Sequence, residues 1–561
     1  MMKTFWYAFF FNLFSCSQGL LAQSLPVGTT GLEEYYRRKQ LLGKLDSSLS
    51  FLIRPILSSD ILGSKYIFDP YDKIRDKPFL NISRSIPVQN TSADSIVLLP
   101  VTWLQQYTTD HPYGWNDGAI IPSRGYQTLV SFGLYGKFKR LSIQFRPELV
   151  FAQNKYFDQF PTEHYDAAWI NYYRFYNNID LPERFGERSY SKVFLGQSSV
   201  RLNFSQLSFG LSNENLWWGP GIYSSLLMTN SAPGFLHFTF NTNKPVKTAI
   251  GSFEGQFIAG RLVGSGFTPP EPNRTVDQAR LYYPKVNDGR YISGLTFNYQ
   301  PKWLPGLFLG FSRTSQIYFD DISDLGDLVP LFSSFKKVTA DNEEASVKSN
   351  LSSMFFRWLL PKARAEVYFE YGRSDHSRSY TDFRLQPERS RAYLFGIQKL
   401  VPLNKTDQYI QVNIESTQLQ QALVDEIRNA ESWYTSSYVR HGYTHRGESL
   451  GAGIGPGGSL QTLDITWVKQ LKSIGLKFER NLHNNDFYYY TFGDYRIHWV
   501  DISAAAHANW NYRNLLFNAR LQMIRSLNYQ WWFRQYDPNN FYVSGRDVLN
   551  YQLALGVSYR F

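Results

Sequence analysis

From about Gly125 onward, apolar and polar residues alternate with a period of two, segment after segment. In "LSIQFRPELVF", Leu141, Ile143, Phe145, Leu149 and Phe151 share one parity, with Pro147 among them. Ser142, Gln144, Arg146 and Glu148 hold the other. "RAEVYFEYG" sets Ala365, Val367, Phe369 and Tyr371 against Arg364, Glu366, Tyr368 and Glu370. "YIQVNIEST" and "LLFNARLQM" repeat the pattern, the latter with Leu515, Phe517, Ala519, Leu521 and Met523 against Asn518, Arg520 and Gln522. Successive side chains of a strand point to opposite faces, so each segment offers one face to hydrocarbon and one to water. A soluble sandwich alternates too, but here charge recurs on the polar face strand after strand. That predicts an all-β, transmembrane antiparallel β-barrel with lipid outside and a polar lumen inside.

The tail follows the same rule. "NYQLALGVSYRF" points Tyr551, Leu553, Leu555, Val557, Tyr559 and Phe561 outward and Asn550, Gln552, Ser558 and Arg560 inward. A closing aromatic on an amphipathic strand resembles the assembly signal of bacterial outer-membrane barrels. Short connectors (Gly136–Arg140, Ser205–Gln206, "QPKWLPG", "LPKAR") alternate with long polar ones near 154–190, 262–290, 315–349, 373–390 and 419–460. The expectation is ~16–18 strands over 125–561, an even number, with turns on one side of the membrane and loops on the other.

The N-terminal part reads differently. Lys3, the apolar "FWYAFFFNLF" and a small residue at Ala22 predict a secretory signal peptide over 1–22. The single cysteine, Cys16, precedes that cut. A lipoprotein reading with acylation at Cys16 competes, because "LFSC" loosely follows a lipobox, although Phe14 is bulky for it. In "TTGLEEYYRRKQLLGK", Thr30 and Glu33 form a capping box and Leu32, Tyr35, Tyr36, Lys39 and Leu42 keep helical spacing up to Gly43. Residues 23–124 are therefore expected to be a helical and irregular segment that packs on or plugs the barrel.

Composition sharpens the class. Phe, Trp and Tyr make up 17% of 561 residues, yet the mean hydropathy is −0.35. After the N-terminus no run approaches the ~18 apolar residues of a spanning helix. The net charge of +11 is dispersed without a basic arm, so nucleic acid is not an expected partner. No phosphate-binding, zinc-binding or paired-cysteine motif occurs, and no cofactor or metal is expected. "VDISAAAHANW" puts Asp501, Ser503 and His507 on one strand face, an invitation to a hydrolase reading. Ser503 and His507 would lie roughly 13 Å apart along the strand, beyond hydrogen-bond reach. No catalytic residues are assigned.

Three stretches concentrate aromatic and planar polar groups. They are "HPYGWNDGAIIP" with Trp115, Asn116 and Asp117, "NENLWWGPG" with Glu214, Trp217 and Trp218, and "RHGYTHR" with Arg440, His441, Tyr443, His445 and Arg446. Aromatic faces stack on sugar rings while planar polar groups take hydroxyls, and arginine and histidine add attraction for acidic sugars. The same residues could equally tie the plug to the barrel by buried hydrogen bonds. Trp217 and Trp218 fall where an interfacial aromatic belt is expected, and "MTNSAPGF" should fold back into the lumen or mouth.

Together with "LEEYYRRKQLLGK", "PYGWNDGAIIPSRGYQ", "FRPELVFAQN", "GSFEGQFIAGRL" and "RHGYTHRGESLGAGIGPGG", these stretches make the chain resemble the Wzi-type capsule assembly family in its Bacteroidetes-like form. The resemblance implies an outer-membrane barrel of about 18 strands with a small helical portion at the periplasmic end. It also implies lectin-like, non-enzymatic anchoring of capsular or other surface polysaccharide, with outer-membrane lipid around the wall. A porin-like channel for a solute is the alternative.

Overall fold

The computed structural model describes residues 24–29, 31–57, 67–70, 85–87, 95–323, 325–329, 348–374, 388, 390–422, 431–492, 497–532 and 547–561. The expected signal peptide, Cys16 and Thr30 lie outside the described residues.

Among the described residues, eighteen antiparallel strands close a ring. The first six are β1 (Ser95–Thr108), β2 (Gly125–Phe138), β3 (Leu141–Phe145 with Glu148–Ala152), β4 (Tyr190–Phe194 with Ser199–Phe204), β5 (Leu207–Ser212) and β6 (His237–Thr242 with Val246–Lys247). Next come β7 (Gly251–Leu262), β8 (Arg290–Pro301), β9 (Leu307–Tyr318), β10 (Ser349–Leu360), β11 (Ala365–Ser374) and β12 (Arg391–Pro402). The ring ends with β13 (Gln408–Gln418), β14 (Ser459–Lys469), β15 (Lys472–Leu482), β16 (Val500–Tyr512), β17 (Leu515–Leu527) and β18 (Val548–Tyr559). Each strand pairs with the next, and β18 pairs with β1 from Gln552↔Thr108 to Tyr559↔Val101. Short turns join the strands at one end and long connections at the other, as the spacing predicts.

The alternation has the expected sense. Leu521 is 56% exposed on the outer face while its neighbour Gln522 is 1% exposed inside. The barrel begins earlier than the change of period at Gly125, however. Ser95–Thr108, expected to belong to the plug, is the first wall strand. Its alternation is hidden because the inward Val97 and Leu99 meet apolar plug residues, including Leu32 and Tyr35. A register shift between Leu99 and Thr102 around Pro100 also breaks the period.

Helix α1 (Leu32–Leu41) lies inside the ring at the short-turn end. Its N-cap is Gly31 in the left-handed region, with no side-chain cap, rather than Thr30. Glu33 accepts from the Gly28 N–H at 3.3 Å and lies 3.7 Å from Arg54. Arg37 reaches the wall, donating to Glu366 at 2.6 Å. Arg357 meets the other oxygen of Glu366 at 2.8 Å and also holds the Ser50 carbonyl at 2.6 Å. A carboxylate at zero exposure is tolerable only when paired and hydrogen-bonded in this way.

From the opposite end the 213–236 connection folds down into the lumen. Backbone N–H groups of Ile222 and Leu226 donate to the wall carboxylates Glu415 and Glu370, at 2.7 and 3.2 Å. Its Trp218, Leu226, Leu227 and Met228 form an apolar cluster with Trp433, Tyr434 and Tyr443 from the 419–458 connection. The lumen thus has a core of its own. Two further helices, α2 (Asp166–Tyr176) and α3 (Asn485–Thr491), pack together among the long connections around Phe160, Trp169, Tyr172 and Phe487.

Candidate functional site

Where the plug, the inward-folded connections and the C-terminal wall meet, they leave a cavity of about 370 Å³. That lies within the size range of small-ligand pockets. A small inward position, Ala554 opposite Arg520, leaves room on its wall. Gly475, opposite His507, serves a different purpose. A side chain there would come within 2.1 Å of the Thr466 hydroxyl and 2.8 Å of the His507 ring. Its absence lets His507 reach across the sheet to Asp464, 3.2 Å away.

The polar lining is ordered. Tyr223 donates its hydroxyl to Asp464 at 2.9 Å, and Lys477 donates to Glu479 at 2.9 Å. Gln522 donates to Glu479 at 3.2 Å and to Ser503 at 2.9 Å. Arg520, directly opposite His507 on β16, donates to Gln552 at 2.9 Å. Gln552 in turn donates to the Tyr113 carbonyl at 2.6 Å, and this seats the 109–124 connection against the wall. Asn116 is in the left-handed region and donates to the Tyr223 carbonyl at 2.7 Å, while Asn230 donates to the Asn116 carbonyl at 2.9 Å. These bonds present Tyr113, Trp115 and Asp117 to the cavity. On the plug side, Arg54 lies over the Trp217 ring at 4.2 Å. Burial lowers the pKa of Arg54 to about 10 and raises that of Glu33.

Of the sequence candidates, Trp115, Asn116, Asp117 and Trp217 line this cavity. The others are elsewhere. Neither Trp217 nor Trp218 belongs to an interfacial belt, since they are 3% and 0% exposed inside the lumen. Trp218 donates to Gln256 at 2.8 Å, and its ring fits over Gly294, where a Cβ would meet it at 2.7 Å. The two tryptophans pair in a two-residue ladder with Ile53–Arg54. Glu214 is fully buried against Arg201 at 2.7 Å.

The "RHGYTHR" stretch serves as packing and clamp. Arg440 holds the Tyr283 carbonyl at 2.6 Å, and His441 shares a hydrogen bond with the Tyr318 hydroxyl at 3.0 Å. Tyr443 stacks on Tyr434, His445 accepts from the Val263 N–H at 3.1 Å, and Arg446 lies over Phe194. Burial, reinforced by Arg290, lowers the pKa of His441 to about 3, and burial also holds that of His445 well below the usual value.

Sequence reasoning missed Tyr113, Tyr223, Asp464, Lys477 and Glu479 as one group. The inward parity of Asp464, Lys477 and Glu479 was readable; the convergence of all five across four segments was not. The Asp501, Ser503 and His507 set does not assemble, because Asp501 is held by His483 at 2.7 Å and His507 by Asp464. Among the described residues no cluster of three or more His, Cys, Asp or Glu is placed to hold a metal.

The model of the family described as capsule assembly protein Wzi matches residues 102–525. The chain belongs to that family. Among solved structures it is similar to Wzi of Escherichia coli, described as an outer-membrane, carbohydrate-binding β-barrel involved in group 1 capsule assembly. The TM-score is 0.52 at 13% identity, over 82% of this chain and 85% of that one. OccAB2 of Acinetobacter baumannii (TM-score 0.38, 10% identity, 83% and 98% covered) and OccK8 of Pseudomonas aeruginosa (0.37, 8%, 82% and 97%) are also similar. No curated protein matches the chain. This Wzi-family member is an outer-membrane β-barrel.

Proposed function

We propose that this Wzi-family protein binds capsular or other surface polysaccharide without catalysis and so attaches it at the cell surface. The observation that carries this reading is the lumenal cavity, with the Tyr113 and Trp115 rings beside Asp464, Lys477, Glu479 and Arg520. Aromatic rings suit the C–H faces of sugars, and convergent donors and acceptors suit their hydroxyls. The family and the carbohydrate-binding description of the E. coli relative support it. The short-turn end with α1 faces the periplasm in this reading, and the long connections face outward. Trp115, Asn116 and Asp117 are the predicted contacts that keep this role, whereas the "RHGYTHR" residues support the fold of the mouth.

Against a porin-like role stands the apolar cluster around Trp218, which packs inside the lumen. The test is a deletion strain: it should still export its polysaccharide but shed it into the medium. Normal retention by that strain would refute attachment, and steady current through the purified protein in a planar bilayer would favour the channel.

A further inference from the structure

We infer that the lumenal cavity takes a sugar bearing an anionic group with two or more oxygens, a uronic carboxylate or a phosphate substituent, held by Arg520. The inference rests on the polysaccharide-binding reading and names the sugar class for it. Charge pairing around the cavity is uneven. Asp464 has His507 and Tyr223, Glu479 has Lys477 and Gln522, and Glu33 has Arg54. Arg520 has none of these carboxylates. One Nη donates to the neutral carbonyl of Gln552, Nε is buried with no acceptor, and no carboxylate among the described residues pairs with it.

Arg520 is half-buried at the cavity wall, and its planar fork of N–H groups matches a carboxylate or phosphate edge. His507 stands directly across the sheet and is already committed to Asp464, so it does not neutralise an incoming anion. Ala554, directly opposite Arg520, keeps the floor before it clear. Asp117 and Gln106 line the same cavity and can accept or donate to hydroxyls. A hydroxylated acid uses both kinds of partner at once; a simple anion uses only the arginine.

The test is calorimetric titration of the full chain in detergent micelles with trigalacturonate, its carboxyl-reduced galactotriose, a phosphorylated galactotriose and the cell's own polysaccharide. The acid or the phosphate should bind at least about tenfold tighter than the neutral trisaccharide, the size of one charge-assisted contact. Which of the two anions gains more identifies the source. Arg520→Gln should remove the preference for the anion over the neutral sugar, and Arg520→Lys should restore part of it. Should Arg520→Gln fail to give a heat-modifiable barrel, salt titration of the unaltered protein serves instead, since only the anion's affinity should fall with salt. Equal binding of anionic and neutral sugars, or equal loss of both in Arg520→Gln, overturns the inference and leaves polysaccharide binding standing. Failure of every saccharide and of the cell's own polysaccharide removes both.

Discussion

Along β11 and β13 the lumen-facing positions include Glu366, Tyr368, Glu370 and Glu415, none more than 2% exposed. Along β15 and β16 the same faces carry Lys477, Glu479 and His507, and here the cavity opens. One sheet with one alternation therefore has two kinds of interior. On the first side long side chains reach inward and are consumed by the plug and the folded-back connection, as with Arg37 on Glu366 and Ile222 on Glu415. On the second, inward side chains bond to neighbours on the wall, as with Lys477 on Glu479 and His507 on Asp464. The partner of each inward group, not its polarity, separates the structural part of the lumen from the part free to bind.

The sharpest way to break this comparison is on the filled side. Glu366→Ala leaves Arg37 and Arg357 unpaired inside the protein and should cost about 3–5 kcal/mol, read as a drop in the temperature at which the barrel loses its heat-modifiable mobility. A conservative result there would mean that the plug is not held by its charges. On the outer face, Leu521→Arg should cost about 2–4 kcal/mol if the residue lies near mid-membrane; the same substitution at inward Asn518, on the cavity side, should cost far less.

On the open side, Ala554→Phe should fill the recess and weaken polysaccharide binding about 100-fold, equivalent to ~2.7 kcal/mol, with thermal stability little changed. A stability loss without a binding loss would place the site elsewhere. The smallest effect concerns pH. His441 has a folded pKa near 3, below its unfolded value near 6.5, so protons favour the opened mouth and stability falls as pH drops from about 6.5 toward 3. Each unit in that window should cost up to ~1.4 kcal/mol for this histidine, measured as faster proteolysis of the 419–458 connection at pH 5 than at pH 7. His441→Gln should flatten that slope.

The wall was legible because period two is written locally: Ser142 against Ile143, or Gln522 against Leu521, requires no knowledge of any other strand. Features created by contact between distant segments were not. Val97 and Leu99 look like part of an irregular apolar run because the residues they meet, Leu32 and Tyr35, lie some sixty residues earlier. Trp217 and Trp218 carry the same composition signal as a membrane girdle, and only the ladder with Ile53–Arg54 shows them to be lumenal core. Of the site, Trp115, Asn116 and Asp117 were found because rings and planar polar groups cluster there in the chain itself. Tyr223, Asp464 and Lys477 were not, because a cavity is a property of what is missing between segments.

The ladder between Ile53–Arg54 and Trp217–Trp218 has a mechanical consequence. It is backed by the Gly219 N–H on the Leu52 carbonyl at 2.9 Å and by Arg37 on the Pro220 carbonyl at 2.8 Å. The segment entering from one end of the barrel and the one entering from the other are thus spliced at the middle. Ejecting the former as a cork would strip backbone and charged partners from the latter. A pull on the outer mouth is accordingly transmitted to the opposite rim, and opening a pore means dismantling the interior rather than sliding a stopper.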